Sequence, residues 1–358
     1  MVTILYIYRN RELERVKRSL DSLAAQNNQR FKVVFIDYGS LQTIASEVED
    51  FISQYPFVTY HYSYCSLQLW SRAKAINIGL RFVTTDFVFI ADIDMIFSPD
   101  LVQILEDIKN PKQSIFFKVG FLSEKETQTN KKFEDYRISY ESSPGAQGLS
   151  LFPMQALLSI RGFDEFFHLW GGEDEDVHAR LKMNGLEVDF FNEKILMLHQ
   201  WHPTYRSSLN KKLTTTVQHD TISKINQEHF RMNSFLKNSV VNKENWGNII
   251  NQNQFETLTN PEVYLELKNK KEEINNFLFS VLHKFDKKVL EVIILEDFYP
   301  KTLKYHLKKN LKKNVPEYYS LKEINDIIIL HLISFYSDAV YKYVVGKDLK
   351  SIKLTIQL

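Results

Sequence analysis

The chain has 358 residues, long for one compact core, and 45 basic against 44 acidic side chains leave a formal net charge of +1. So even a balance gives no global field to recruit nucleic acid, and any charged partner must be met locally. One cysteine, Cys65, excludes an intramolecular disulfide and any thiolate metal cluster; its plain reading is a small buried hydrophobe in a protein made and kept in the cytoplasm.

The first apolar run, VTILYIY, reaches Arg9-Asn10-Arg11 too soon for a signal peptide, and no later segment approaches the roughly eighteen uninterrupted apolar residues of a membrane span. It reads as a buried strand. A helix follows, with Leu13, Val16, Leu20 and Leu23 at helical spacing, then a second strand, FKVVFID, closed by Tyr38-Gly39-Ser40. A helix around Ile44 to Tyr55, a short strand FVTYHY, a helix from Ser71 to Phe82 and the strand DFVFIAD continue the rhythm. This alternation predicts an α/β domain with a mostly parallel sheet flanked by helices, whose ligands belong at the carboxyl ends of the strands. Arg9, Asp37, Asp92 and Asp94 all fall on that rim.

Asp92 and Asp94 stand one residue apart where an apolar strand runs out. Ionised carboxylates beside such a run need a cation, strong donors or open water, and strand alternation points both to one side. The pair is read as a metal site, against the plainer alternative of a solvated strand end before Ser98-Pro99-Asp100.

A second cluster spans Gly162 to Val188. Gly171-Gly172 breaks an aromatic run after Trp170, and Glu173-Asp174 begins a helix whose Val177 and Leu181 face the core and which Gly185 stops. Acidic first turns are common caps, but the preceding Trp-Gly-Gly makes an aromatic-tipped loop that a cap does not require. A carboxylate at a helix amino end stays ionised at neutral pH, as a general base needs, and Asp174 lies on the side turned toward the domain. The next strand leads into MLHQWHP, with His199 and His202; the histidine that ends the strand is a credible third metal ligand.

These pieces resemble the type-A-fold glycosyltransferases, in particular the β-1,4-galactosyltransferase and bacterial chondroitin polymerase group, which is family 2-like. The matching segments occur in family order over residues 1–205: YRNR at Tyr8–Arg11, RAKAINIG at Arg72–Gly79, DID at Asp92–Asp94, GLS followed by SIRGFDE, WGGEDED at Trp170–Asp176, and the histidine of MLHQ. The resemblance implies that Arg9, Arg11 and Asp37 hold a uridine, that Arg72 and Asn77 support the nucleotide, and that Asp92 lies near the ribose. Asp94 and His199 would ligate a divalent metal, with manganese favoured over magnesium by mixed oxygen and imidazole ligation. Trp170, Gly171, Gly172 and Glu173 would form the donor and acceptor loop, and Asp174 would be the base of an inverting transfer from a UDP-sugar. Where the galactosyltransferases carry an aromatic Gly-Gly segment, this chain has Pro144-Gly145-Ala146-Gln147-Gly148. Gly148 retains the pattern, and Gly145 stands where a bulky tyrosine would restrict the donor, which implies room for a 2-acetamido group. Absence of the disulfides and anchor of extracellular relatives points to a bacterial enzyme that builds a surface glycan on a glycan or lipid-linked acceptor.

Beyond about Pro203 the resemblance ends. Residues 206–255 read as a helical extension and 256–358 as a mainly helical accessory domain. PKTLKYHLKKNLKKNVP sets Leu303, Leu307 and Leu311 on one stripe with Lys304, Lys308, Lys309, Lys312 and Lys313 around it, a pattern that suits either peripheral contact with an anionic membrane or docking on its own domain. Two rival functions stand beside the transferase: a catalytically silent nucleotide-sugar or glycan-binding module, and a nucleotidyltransferase. The second lacks the glycine- and lysine-rich first loop that a triphosphate calls for.

Overall fold

The computed structural model describes the backbone of residues 1–358, and the side chain of Arg206 is outside the description. Two compact units form: residues 1–63, 71–207 and 223–249 make the first, and residues 64–70, 208–222 and 250–358 the second.

In the first unit β1 (Val2–Tyr8), β2 (Phe31–Tyr38), β3 (Val58–Ser63) and β4 (Phe87–Asp92) lie side by side and parallel. They alternate with α1 (Leu13–Ala24), α2 (Gln42–Ile52) and α3 (Arg72–Leu80). All of β1 is buried, as an unbroken apolar run must be when both faces of a parallel sheet are covered. The α1 stripe of Val16, Leu20 and Leu23 and the α2 residues Val48 and Ile52 join that core. Gly79 shows how closely α3 approaches the sheet, since a Cβ there would stand 2.3 Å from Leu5 Cδ1.

The chain continues through β5 (Met95–Phe97), α4 (Leu101–Ile108), β6 (Gln113–Phe117), β7 (Gly120–Leu122), β8 (Ile138–Glu141), β9 (Ser150–Pro153), α5 (Glu173–Met183), β10 (Glu187–Phe191), β11 (Met197–His199) and α6 (Ile222–Leu236). Seven strands form the main sheet in the order β10-β6-β9-β4-β1-β2-β3, with β9 antiparallel to both neighbours. A smaller sheet, β5-β11-β7-β8, takes off where β4 ends.

The second unit departs from the mainly helical domain that periodicity suggested. It combines α7 (Leu303–Asn310) and α8 (Leu321–Phe335) with a four-stranded mixed sheet in the order β12-β13-β15-β14: β12 (Val263–Lys268), β13 (Val289–Leu295), β14 (Tyr341–Val345) and β15 (Ser351–Gln357). Short runs such as VLEVIIL carry too few residues for periodicity to separate strand from helix, and here long-range pairing with β12 and β15 decides the outcome.

Candidate active site

The register of the parallel sheet sets the rim. Tyr8 of β1 pairs with Asp37 of β2, and Ile7 with Asp92 of β4, so Arg9, Asp37 and Asp92 emerge together at the strands' carboxyl ends. Asp37 is fully buried; its carboxylate accepts from the Ser40 amide at 2.8 Å and from the Tyr60 hydroxyl at 3.1 Å. Burial pushes its pKa up, and these donors together with the charge of Arg9 oppose the rise. The Arg9 guanidinium lies 5.9 Å from the Tyr38 ring centroid.

Asp92 and Asp94 part company. Strand β4 ends at Asp92, so the alternation rule does not extend to Asp94, which sits in the turn before β5. Asp92 turns toward Arg72, whose Nη2 is 3.2 Å from its Oδ1. Asp94 turns the other way, because β5 pairs antiparallel with β11 and sets Met95 opposite His199, while the Gln200 amide donates to the Asp94 carbonyl at 3.0 Å. His199 Nε2 is 3.8 Å from Asp94 Oδ1, and His202 Nε2 is 3.1 Å from Asp94 Oδ2.

This trio has the chemistry of a divalent-cation site. One ligand atom from each of Asp94, His199 and His202 lies within 4.8 Å of the others, and the 3.8 and 3.1 Å separations from Asp94 to the two histidines fit within the roughly 4.4 Å that two ligands about 2.2 Å from one ion can span. Asp94 is buried, and its Oδ1 has no hydrogen-bond partner among the described residues. Such an atom is costly to bury unless a cation satisfies it. His202 Nδ1 lies 2.8 Å from the Pro203 carbonyl, a contact that assigns its proton to Nδ1 and turns the Nε2 lone pair toward Asp94. Two lone-pair atoms facing each other need a proton or a metal between them. Burial would raise the Asp94 pKa, but His199, His202 and Arg11 outweigh it and hold it down to about 2; contact with Asp94 in turn raises His202. His202 was the less obvious ligand in the sequence; the His-x-x-His spacing of His199 and His202 was its signal.

The other half of the site gathers on Arg72, at the first position of α3 behind its Ser71 cap. Its guanidinium meets Asp174 Oδ1 at 2.7 Å, Asp92 Oδ1 at 3.2 Å, the Gly148 carbonyl at 2.9 Å and Glu173 Oε1 at 4.0 Å. Three carboxylates share one cation, and the deficit falls on Glu173: burial first, then Asp174, pushes its pKa up to about 7. Burial also raises Asp174, opposed by Arg72. Gly148 packs so close that a Cβ there would lie 3.1 Å from Asp174 Oδ2. Gly172 caps α5 at φ 98°, where an L-residue is strained, and four acidic residues fill the first turn, at the positive end of the helix dipole. Trp170 stands 38% exposed at the tip of this loop.

Two expected positions lie apart from this rim. Asn77 is fully buried, its amide donating to the Phe163 carbonyl at 2.8 Å and to Glu165 Oε1 at 2.9 Å, so its polar atoms hold the Gly162–Glu165 segment. Gly145 is in an exposed loop, where a Cβ would find only Ser143 Oγ within 4 Å, at 3.6 Å. Arg11 is exposed, near enough for its charge to act on Asp94 and His202.

Residues 3–159 match the sequence profile of glycosyl transferase family 2, and residues 127–202 that of the N-terminal domain of galactosyltransferase. The chain is a glycosyltransferase. Over 142 residues it is 25% identical to human (Homo sapiens) chondroitin sulfate synthase 3, a match covering 36% of this chain and 16% of that relative's length. Solved structures similar to this glycosyltransferase include S. aureus TarS 1-349 in complex with UDP-GlcNAc (TM-score 0.41, 16% identity, 58% of this chain and 61% of that one). Another is the mannosyltransferase PcManGT from Pyrobaculum calidifontis in complex with GDP-Man and Mn2+ (TM-score 0.41, 18% identity, 57% and 59%). Both profile matches fall within the span that the sequence motifs delimited, and neither reaches residues 208–358.

Proposed function

We propose that the chain is an inverting, metal-dependent glycosyltransferase that moves a hexose or N-acetylhexosamine, of the galactose or N-acetylgalactosamine type, from a UDP-sugar to a glycan or lipid-linked glycan, in the assembly of a bacterial surface polysaccharide. The observation that carries the reading is the pairing of two unlike clusters across the Asp92-Ile93-Asp94 turn. On one side Asp94, His199 and His202 offer a mixed oxygen and imidazole set to a divalent ion, manganese before magnesium. On the other Asp174 and Glu173 meet Arg72 at the amino end of α5.

The roles follow from that placement. A bound divalent ion offsets charge on the departing diphosphate. Arg9, Arg11 and Asp37 line the rim for the uridine, Asp92 for the ribose, and Gly148 leaves its carbonyl and empty Cβ position beside the reacting centre. Arg72 orients the Asp174 carboxylate, which takes the acceptor's hydroxyl proton as that oxygen attacks the anomeric carbon from the face opposite the phosphate. A single displacement inverts the anomeric centre and gives a β-linkage. The name of the chondroitin sulfate synthase relative supports a glycan acceptor.

No helix among the described residues is long and apolar enough to cross a membrane. Peripheral contact through α7 is part of the proposal: the helix turns Tyr305 inward and leaves Leu303 82% and Leu307 61% exposed among lysines, with the capping Leu311 65% exposed beyond its end. That arrangement favours an anionic lipid surface over self-docking.

The test is nucleotide release from a panel of UDP-hexoses and UDP-N-acetylhexosamines with manganese or with chelator. Release from at least one donor, abolished by chelator, is expected. Full release in chelator contradicts the metal's role, and no release from any donor favours the silent binding module.

A further inference from the structure

Helix α6 lies beyond the residues that match the family profiles, yet its polar face reaches the Trp170 loop. Asn226, His229 and Asn233 are spaced i, i+3 and i+7 and share one face of the helix. His229 Nε2 is 2.8 Å from Asp164 Oδ2, and the Asn233 amide donates to Asp164 Oδ2 at 2.9 Å and to Asp176 Oδ1 at 3.2 Å. Asp176 is in turn paired with the buried Arg180 at 2.6 Å. These contacts bind α6 to the segment around Asp164 and to the first turn of α5.

Asn226 does something different. Its side-chain Nδ2 points at three loop carbonyls, those of His168 at 3.1 Å, Trp170 at 3.1 Å and Gly171 at 2.9 Å. An amide has two N–H bonds, so the three acceptors share them. The side chain is fully buried, and its Oδ1 has no partner among the described residues. The whole polar capacity it expresses is therefore spent on the loop.

The loop needs such a restraint. The Trp170 amide donates to the His168 carbonyl at 2.8 Å across Leu169, whose φ is 63°, and Gly171 and Gly172 follow at 88° and 98°. A three-residue turn with positive φ at a leucine is rare and strained. Nothing local in a leucine favours that conformation, so it persists only when neighbours over-determine it. The three carbonyls that this winding turns toward α6 are the ones Asn226 receives.

We propose that Asn226 is a positioning residue that holds the Trp170 loop in its wound form and so sets where Trp170 stands over the donor and acceptor site. The catalytic consequence rests on the function proposed above; the clamp itself does not. The test is hydrogen exchange of the 168–172 amides, with acrylamide quenching of Trp170 taken as the difference between the chain with and without Trp170→Phe. Asn226→Ala is expected to raise exchange in that segment about five- to tenfold and to increase quenching, with affinity for UDP plus manganese unchanged. Asn226→Ser serves if the alanine variant does not fold. Asn242→Ala is the control, because it removes a half-buried amide that holds the Arg161 and Phe163 carbonyls without touching the loop; it is expected to lower Tm and leave loop exchange at the parent rate. Unchanged loop exchange in a folded Asn226 variant overturns the proposal, as does an equal rise in Asn242→Ala. If no UDP-sugar is turned over by the parent chain, the exchange result still decides the clamp.

Discussion

Glu173 records the cost of gathering three carboxylates around one guanidinium. Its pKa is raised from 4.5 to about 7, by burial and then by Asp174. Below pH 4.5 the group is neutral in the folded and unfolded chain alike. As pH rises toward 7 the unfolded carboxyl ionises freely while the folded one keeps its proton, so stability is lost across that window, by up to about 3 kcal/mol. Glu173→Gln, which cannot ionise, is therefore expected to raise Tm at pH 8 in the absence of metal and nucleotide, and to match the parent chain near pH 4.5. A gap in Tm that is the same at both pH values contradicts the assignment. The sequence revealed acidity at this position but not the raised pKa, because its largest cause is burial, which only the tertiary fold creates.

At the scale of elements, what repeats locally was legible and what depends on distant pairing was not. The strand ends bearing Arg9, Asp37 and Asp92 follow from apolar runs that stop at polar residues, and parallel pairing does the rest. The Asp-x-Asp pair is legible as a motif, yet its two members serve different clusters because β5 leaves the main sheet to pair with β11. No local pattern in either three-residue strand announces that partner. Asn226 is silent in the sequence for a related reason: a polar residue within a polar helix reads as a solvated face until the loop it meets is known. The C-terminal strands are too short for their period to separate them from helix in the sequence. Helix α7 was legible down to its stripe, and its outward leucines yield a direct test. The chain is expected to float with phosphatidylserine-containing vesicles at least about fivefold more than with neutral ones, and Leu307→Asp is expected to reduce that binding. Equal flotation with both vesicle types contradicts a role for the lysine-rimmed helix.

For the whole molecule, the site residues fall in the first unit, and the second contributes none of the groups assigned to chemistry. The central claim is thus a division of labour inside one unit, with Asp94 holding the metal and Asp174 accepting the proton. It is tested most directly by measuring, on Asp94→Asn and Asp174→Asn side by side, the Kd for UDP with manganese and the turnover of the donor that the panel identifies. Asp174→Asn keeps its shape but cannot accept a proton, so turnover should fall roughly a hundred- to ten-thousand-fold while UDP binding hardly changes. Asp94→Asn removes a charged ligand and should weaken metal and UDP binding together. Near-normal turnover in Asp174→Asn, or a loss of UDP binding there as severe as in Asp94→Asn, contradicts the account and moves the base to Glu173 or Asp176.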